Sequence, residues 1–600
     1  IDDCSDERTA RCLRSVRGVR LLRNESNLGF LKGSNKGAAA ARGEYLLFLN
    51  NDTEVTPRWL EGMLGVFEQR PDAGLVGAKL VFPDGRLQEA GGIMWRNASG
   101  VNYGKWDDAD KPQYNYLRQV DYCSGACLLV PRALFEALDG FDDRYAPAYY
   151  EDTDLAFGVR AAGRTVYYQP RSVVIHHEGV SSGTSTKSGI KAYQLVNQVK
   201  FRRKWRKALA RHLVNDVKNI ERAKNSGERR RALVVDARVL CPDQDSGSVR
   251  MLNLLLILQE LGFQVTFVPA NLQCVSPYTQ RMQGLGIECL HHPYFPSIEY
   301  FFETRGPEFD LVILSRAAIA GALLPFCRKY IPETPVIFDT VDLHFLREQR
   351  EAALYRDEVK SRKAVEREAL ELKLIAESDA AIVVSPVERA VLKRKLPAQH
   401  VAIVSNIHAS HEGAIPPFKA RRDFLFIGGF EHTPNVDAML WFAADIMPLV
   451  LKELPRAKLH IIGSKMPESI CVLASKHVIT HGYVANVEPL FASCLLSVAP
   501  LRWGAGVKGK INQSMSLGVP VVSTSIGAEG MHLVHEENIL VADDPADFAA
   551  QIVRLSRDEA LWKKLSDNGH ANLSRHFSVG AARRGLKAVL TKLKLHPNRI

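Results

Sequence analysis

The 600-residue chain lacks long apolar runs. No stretch reaches the roughly 18 uncharged apolar residues of a transmembrane helix. The nearest, Leu311 to Phe326, is interrupted by Arg316 and reads as strand, loop and helix. No signal peptide is visible, and the opening Ile1-Asp2-Asp3 reads as the interior of a domain. Paired cysteines are also lacking. The ten cysteines are scattered, and the closest two, Cys123 and Cys127, have no His or Cys partner at zinc-type spacing. That excludes a disulfide framework and predicts reduced, mostly buried thiols in a cytoplasmic protein. GxGxxG is absent after the opening strand of either half, which argues against a nicotinamide-dependent oxidoreductase.

What is present is an ordinary globular composition, 46% hydrophobic and 24% charged. The length suggests three or four domains of ~150 residues. A formal net charge of +11 suits anionic partners such as nucleotides, membrane lipid or nucleic acid. No base-reading module is recognisable, so nucleic acid is not expected as a partner.

Tyr45 to Leu49 reads as a strand buried on both faces, the kind found inside a parallel sheet. It stops at Asn50, Asn51 and Asp52. The carboxyl edge of an open α/β sheet is where ligands bind, and an Asp flanked by amide oxygens suits a hard cation such as Mg²⁺ or Mn²⁺. The competing reading is plain turn chemistry. Downstream, Glu151, Asp152 and Asp154 open a helix that closes at Gly163. They either complement the helix dipole or supply a general base behind the aromatic Tyr149 and Tyr150. Ser172 to Ile175 is a strand ending at His176, a ligand or a structural histidine.

The pieces IDDCSDERT, NLGFLKGSNKG, LNNDTEV, SGACLLVPRALF, LDGFDD, YYEDTDL and HHEGVSS occur in the order of family-2 glycosyltransferases. Over residues 1 to 185 the chain resembles the rhamnosyltransferase-like members. That resemblance implies a GT-A fold, a nucleotide-binding α/β domain acting with inversion. It implies nucleoside contacts by Asp2 and Asp3, nucleotide-sugar and metal contacts at Asn50, Asn51 and Asp52, a metal site completed by His176, and Asp152 as catalytic base. The cofactor would be Mn²⁺ or Mg²⁺. Where the family keeps D-x-D, this chain has N-N-D, and the family's first strand and helix would lie upstream of Ile1.

Residues 186 to 230 form a basic connector. Phe201, Trp205, Leu209 and Leu213 recur every four residues, an amphipathic helix with a basic face. Three fates are open to it: an anionic membrane surface, docking on the preceding domain, or a solvated linker.

From Ala232 a new alternation of strands and helices begins, and a second follows Pro416-Pro417. Two parallel sheets in succession predict two lobes, 231–415 and 416–600. The chemical centre is Pro500 to Thr524, where Gly504, Gly506 and Gly509 admit close backbone approach to an anion beside Lys508 and Lys510. A glycine-rich turn with solvated lysines is the alternative. GGFEHTPNVDAMLWF, HGYVANVEPLFASC and GAGVKGKINQSMSLGVPVV resemble family-4 GT-B glycosyltransferases, with a pair of Rossmann-like lobes. The resemblance implies no metal, usually retention, diphosphate binding by Lys510 and Lys508, and ribose binding by Gln513, where the family has its second Glu. The first Glu of that pair falls on Ala505. On the acceptor lobe, Val341 stands where a catalytic His is often found, with Asp342 and His344 nearby.

The expectation is an α/β chain of two glycosyltransferase modules using dTDP-, UDP- or GDP-linked sugars. They would build a cell-surface polysaccharide or lipid-linked glycan in the cytoplasm or at the inner face of the plasma membrane. The alternative is that one module has lost catalysis and serves as a carbohydrate-binding or scaffold domain.

Overall fold

The computed structural model describes residues 1–177, 193–226, 229–408, 413 and 415–595. They fall into two compact units, Ile1–Arg229 with Thr279–Leu290, and Arg230–Tyr278 with His291–Ile600.

The first unit is built on a mixed sheet. Its main path runs Tyr45–Leu49, Cys127–Pro131, Ala73–Val81, Thr165–His176 and Thr53–Val55. Ala73–Val81 is buried along its whole length, as expected of a central strand; Lys79 interrupts its small and apolar residues, and its buried Nζ donates to the Ala109 carbonyl at 3.0 Å and to Asn115 Oδ1. Helix Trp59–Gln69 covers one face through Met63 and Val66. Helix Glu151–Ala161 covers the other through Leu155, Phe157 and Val159.

Tyr45–Leu49 departs from expectation. It is an end strand, antiparallel to Cys127–Pro131, and Leu49 is exposed. Cys127–Pro131 is in turn antiparallel to Ala73–Val81, which runs parallel to Thr165–His176. Three carboxyl termini therefore share one edge. Near the start of the chain, Asp2 and Arg23 form an isolated parallel bridge.

The basic connector is part of the first unit. Its helix breaks at Trp205 into Tyr193–Lys204 and Arg206–Leu209. Phe201 and Leu209 are buried in the domain core, and Trp205 and Leu213 pack against it. The apolar stripe legible in the sequence is thus occupied by the domain itself.

The second unit holds two parallel sheets. The first runs Phe263–Pro269, Arg230–Asp236, Leu311–Ser315, Val336–Asp339, Ala380–Val383 and Val401–Ile403. The second runs Val478–Gly482, Leu459–Ile462, Arg422–Ile427, Cys494–Ala499, Val521–Ser523 and Leu540–Val541. Both have the doubly wound order expected of Rossmann-like lobes. One helical stretch, Thr433–Glu453, has the length and apolar composition of a membrane span, and over half of its apolar window is buried. All ten cysteines are free thiols, and five of them are buried.

Candidate functional site

In the first unit, topology brings the chemistry to one edge. Asn50–Asp52 link the sheet's two end strands, and Thr53 pairs with His176 in register. That pairing sets Asp52 Oδ1 3.3 Å from His176 Nε2. The other ring nitrogen, Nδ1, stands 2.8 Å from Gln88 Oε1; in the tautomer that donates from Nδ1 to this oxygen, Nε2 presents a lone pair on the side of the carboxylate. Two acceptors facing each other at that distance suit a cation between them. They supply two ligands. Among the described residues, no cluster of three or more His, Cys, Asp or Glu is placed to hold a metal ion. Such a pair fits an ion whose remaining positions go to substrate phosphates and water, as is usual for Mg²⁺. Asn50 reaches the same edge through its N–H on the Ala126 carbonyl, 3.0 Å, whereas Asn51 is exposed in the turn.

Asp152 stands one residue into helix Glu151–Ala161. Its Oδ2 accepts from the Gly125 N–H at 2.8 Å, and its Oδ1 from the Thr153 N–H at 2.6 Å. Burial raises its pKa, and these hydrogen bonds only partly offset that. A carboxyl raised in this way moves toward the range useful to a general base. Neighbouring Glu151 is buried and raised well above the ordinary range, first by burial and then by the Asp152 charge. The loop Ser124–Ala126 knits the edge together, since the Ser124 N–H donates to Glu89 Oε1 at 2.9 Å. Gln88 and Glu89 lie on the short buried strand Leu87–Glu89, in a stretch whose sequence shows no periodicity.

The turn before Asp152 is strained. Tyr149 and Tyr150 have φ of 74° and 76°, a left-handed conformation costing on the order of 1–3 kcal/mol for each such residue. Helix Tyr193–Lys204 holds it. The buried amide of Asn197 donates to the carbonyls of Tyr145, Ala148 and Tyr149 at 2.7, 2.9 and 3.0 Å. Asp154 accepts from Tyr145 Oη, Lys204 Nζ and Trp205 Nε1 at 2.9, 2.6 and 2.7 Å. Asp154 is therefore a structural anchor, and the connector is the brace behind the proposed base. Asp2 and Asp3 shape loops. Asp2 is buried and pairs with Arg23 at 3.0 Å, while Asp3 accepts from the Leu28 and Gly29 N–H groups and from Asn24, each at 2.8 Å.

In the second unit, the chain leaves Arg422–Ile427 toward a neighbour on one side and Cys494–Ala499 lies on the other. Ligands favour such a switch point. Two loops meet there, Gly428–His432 and Pro500–Lys508. A Cβ placed on Gly428 would lie 3.1 Å from Lys510 Nζ. Lys510 pairs with Asn435 and stands 4.1 Å from the Phe426 ring centre. Burial, with Lys508 nearby, brings its pKa down to about 7. Lys508 instead folds back on its loop, donating to the Ala505 and Gly506 carbonyls at 3.1 and 2.8 Å, and burial lowers it to about 8.

The helix after the loop is Gly509–Ser516, and it carries the half-buried Gln513. Arg350 braces the loop, bonding the Gly504 carbonyl at 2.7 Å and Glu529 through two 2.7 Å contacts. Gly506 needs its lack of a side chain: φ is 68°, and a Cβ would lie 3.1 Å from that of Asp342. Asp342 and His344 are thus brought to the lysine loop. Burial opposes ionisation of Asp342, but His344 at 2.9 Å and Arg347 at 2.7 Å outweigh it and hold the carboxyl at about 2. Val341, φ 65°, is strained for a β-branched residue. Glu388 and Glu371, behind this turn, are pushed up to about 7, chiefly by burial. Glu529, Arg350, Asn435 and Glu388 were missed in the sequence reading because they lie outside the glycine-rich loop.

Two separate regions of the chain match known protein families. Residues 1–138 match the family model "Glycosyl transferase family 2", and residues 421–558 match "Glycosyl transferases group 1". The chain is 35% identical over 159 residues to O-antigen biosynthesis protein RfbC of Myxococcus xanthus, covering 25% of this chain and 12% of that protein. It is 33% identical over 174 residues to an uncharacterized protein of Sinorhizobium fredii, covering 28% of this chain and 19% of that one. The N-acetylglucosaminyl-diphospho-decaprenol L-rhamnosyltransferase of Mycobacterium tuberculosis is 29% identical over 197 residues, 29% of this chain and 64% of that enzyme. The aligned stretch thus spans a fifth or less of the first two relatives. Among solved structures, sucrose-phosphate synthase from Thermosynechococcus elongatus aligns at a TM-score of 0.49 and 15% identity, covering 61% of this chain and 99% of that one. The chain joins a glycosyl transferase family 2 region to a glycosyl transferases group 1 region.

Proposed function

We propose that the protein is a two-module glycosyltransferase, each module taking its own nucleotide sugar, that extends a cell-surface polysaccharide or lipid-linked glycan. The observation that carries the reading is the shared edge of the first unit. There hydrogen bonds join Asp152 to Gly125 and Ala126 to Asn50, two residues before Asp52, which faces His176 at 3.3 Å.

In the first module, Asp152 accepts the proton of an acceptor hydroxyl as that oxygen attacks the anomeric carbon. The bond from that carbon to the nucleoside diphosphate breaks, and the carbon inverts. Asp52 and His176 would hold Mn²⁺ or Mg²⁺, which when bound neutralises charge on the departing diphosphate. Gly125 and Thr153 keep the Asp152 carboxylate aimed, and the Tyr149–Tyr150 turn places it at the helix start. A hexosyl- or rhamnosyltransferase activity fits the match to the mycobacterial rhamnosyltransferase.

In the second module, Lys510 and the Pro500–Lys508 loop receive the diphosphate, with Gln513 on the following helix for the ribose. Asp342 and His344 face the loop from the acceptor lobe. Lysines take over the charge neutralisation that a cation provides in the first module, so no metal is required there.

The test is a panel of dTDP-, UDP- and GDP-sugars, with and without Mn²⁺, read by nucleoside diphosphate release. It is run on the chain and on its Asp152→Asn and Lys510→Ala forms. Two activities, each removed by one substitution alone, are expected. Loss of both products from either substitution would overturn independent modules.

A further inference from the structure

Helix Tyr193–Lys204 has a second face that its role as a brace leaves unused. The inner face carries Asn197 and Phe201, both fully buried, and Lys204 is paired inward with Asp142 and Asp154. At 3.6 residues per turn, Leu195, Val199 and Arg202 line up on the opposite side, with Val196 and Arg203 beside them and Arg206 just past the break. Leu195, Val196 and Val199 are 62%, 52% and 69% exposed, and the three arginines are exposed as well.

The pattern along this face is ordered. Aliphatic residues occupy its amino-terminal half and arginines its carboxyl-terminal half. Ordinary solvated helices do not place three aliphatic side chains outward in adjacent positions, and a protein-core face would not carry three arginines. Apolar side chains beside long cationic ones are what an interfacial helix presents to an anionic bilayer. The aliphatic groups enter the acyl boundary while the guanidinium groups stay among the phosphates. The chain's excess of 78 Lys and Arg over 67 Asp and Glu acts in the same direction.

We propose that the outer face of helix Tyr193–Lys204 docks the protein on an anionic lipid surface. This is the face opposite the stripe that the sequence suggested, and the proposal is independent of whether either module is active. Because the same helix clamps the Tyr149–Tyr150 turn through Asn197, docking would seat the Asp152 edge at a fixed distance from the bilayer.

The experiment is co-sedimentation of the full chain with phosphatidylcholine vesicles, with and without phosphatidylglycerol. Binding to the phosphatidylglycerol vesicles, weakened by high salt, is expected. The bound fraction should fall tenfold or more in Leu195→Glu/Val199→Glu and in Arg202→Glu/Arg203→Glu. Arg202→Lys/Arg203→Lys should bind as the parent does. Circular dichroism of each variant checks that the fold is kept. Hydrogen exchange on the parent protein is a second reading, with protection of 193–204 expected only on the anionic vesicles. No sedimentation with phosphatidylglycerol vesicles, or binding undiminished in both glutamate variants, would overturn the proposal. A protein partner on this face would give the first of those results.

Discussion

The two candidate sites solve the same electrostatic problem with opposite signs. The edge of the first unit gathers the carboxyl groups of Asp52 and Asp152 beside the His176 imidazole, so an incoming diphosphate meets negative charge. The loop of the second unit gathers Lys508 and Lys510, both held below the ordinary lysine range by burial. A diphosphate at the first site calls for a cation. At the second it restores the protonated lysines that burial disfavours. One chain thus pairs a site that recruits positive charge with a site that stores it.

The sharpest way to break this comparison is Asp152→Asn. Without a carboxylate to take the proton, first-module turnover should fall by roughly 10²–10⁴-fold. Second-module nucleotide binding should stay as it was, measured by product analysis and calorimetry on one preparation. Chelation comes next: EDTA, or Asp52→Asn with His176→Ala, should abolish first-module turnover and spare the second. Equal loss in both modules would erase the contrast.

Lys510→Ala should weaken nucleotide diphosphate binding to the second unit by about 10- to 100-fold, the worth of a charge-assisted contact. Titration calorimetry reads it directly. The same lysine gives a pH signature. Below about pH 7 the free protein already carries the ammonium, so binding takes up no proton. Above about 7 the free lysine is neutral, binding must protonate it, and affinity falls by up to about tenfold per pH unit. Heats measured in buffers of different ionisation enthalpy count that proton. The first module runs the other way, its rate falling as acid protonates Asp152, which burial has raised.

The smallest effect expected is that of Asn197→Ala. It removes the donors that hold the strained turn ahead of Asp152, and kcat of the first module should drop by on the order of tenfold through misplacement of the base. Donor KM should change little, and the second module not at all. A fall in KM and kcat of both modules would show general destabilisation instead.

Much of this was legible in one dimension. Asn50–Asp52, Asp152 and His176 announce themselves because polar residues end apolar strands or begin a helix, and the lysine loop does so through its glycines. Gln88, Glu89 and Gly125 gave no such signal. Gln88 acts on a histidine 88 residues away, and Gly125 on a carboxylate 27 residues away. The stripe of Phe201, Trp205 and Leu209 was visible, but what covers it was not. Amphipathicity says that a face must be buried, and only packing says against what.

The sequence by itself determined where strands and helices alternate, that two parallel lobes follow a first α/β region, and which residue types stand at the strand ends. Those follow from local periodicity and from the few side chains that tolerate such ends. Tertiary structure alone decided three things. Tyr45–Leu49 is an end strand, so the Asn50–Asp52 turn delivers Asp52 to His176. The connector is a brace, because Asn197 and Phe201 find their partners in the domain. Asp342 faces Gly506, because only a residue without a side chain admits that approach. Each depends on contacts between distant residues, and such distances are settled by the packing of the whole domain.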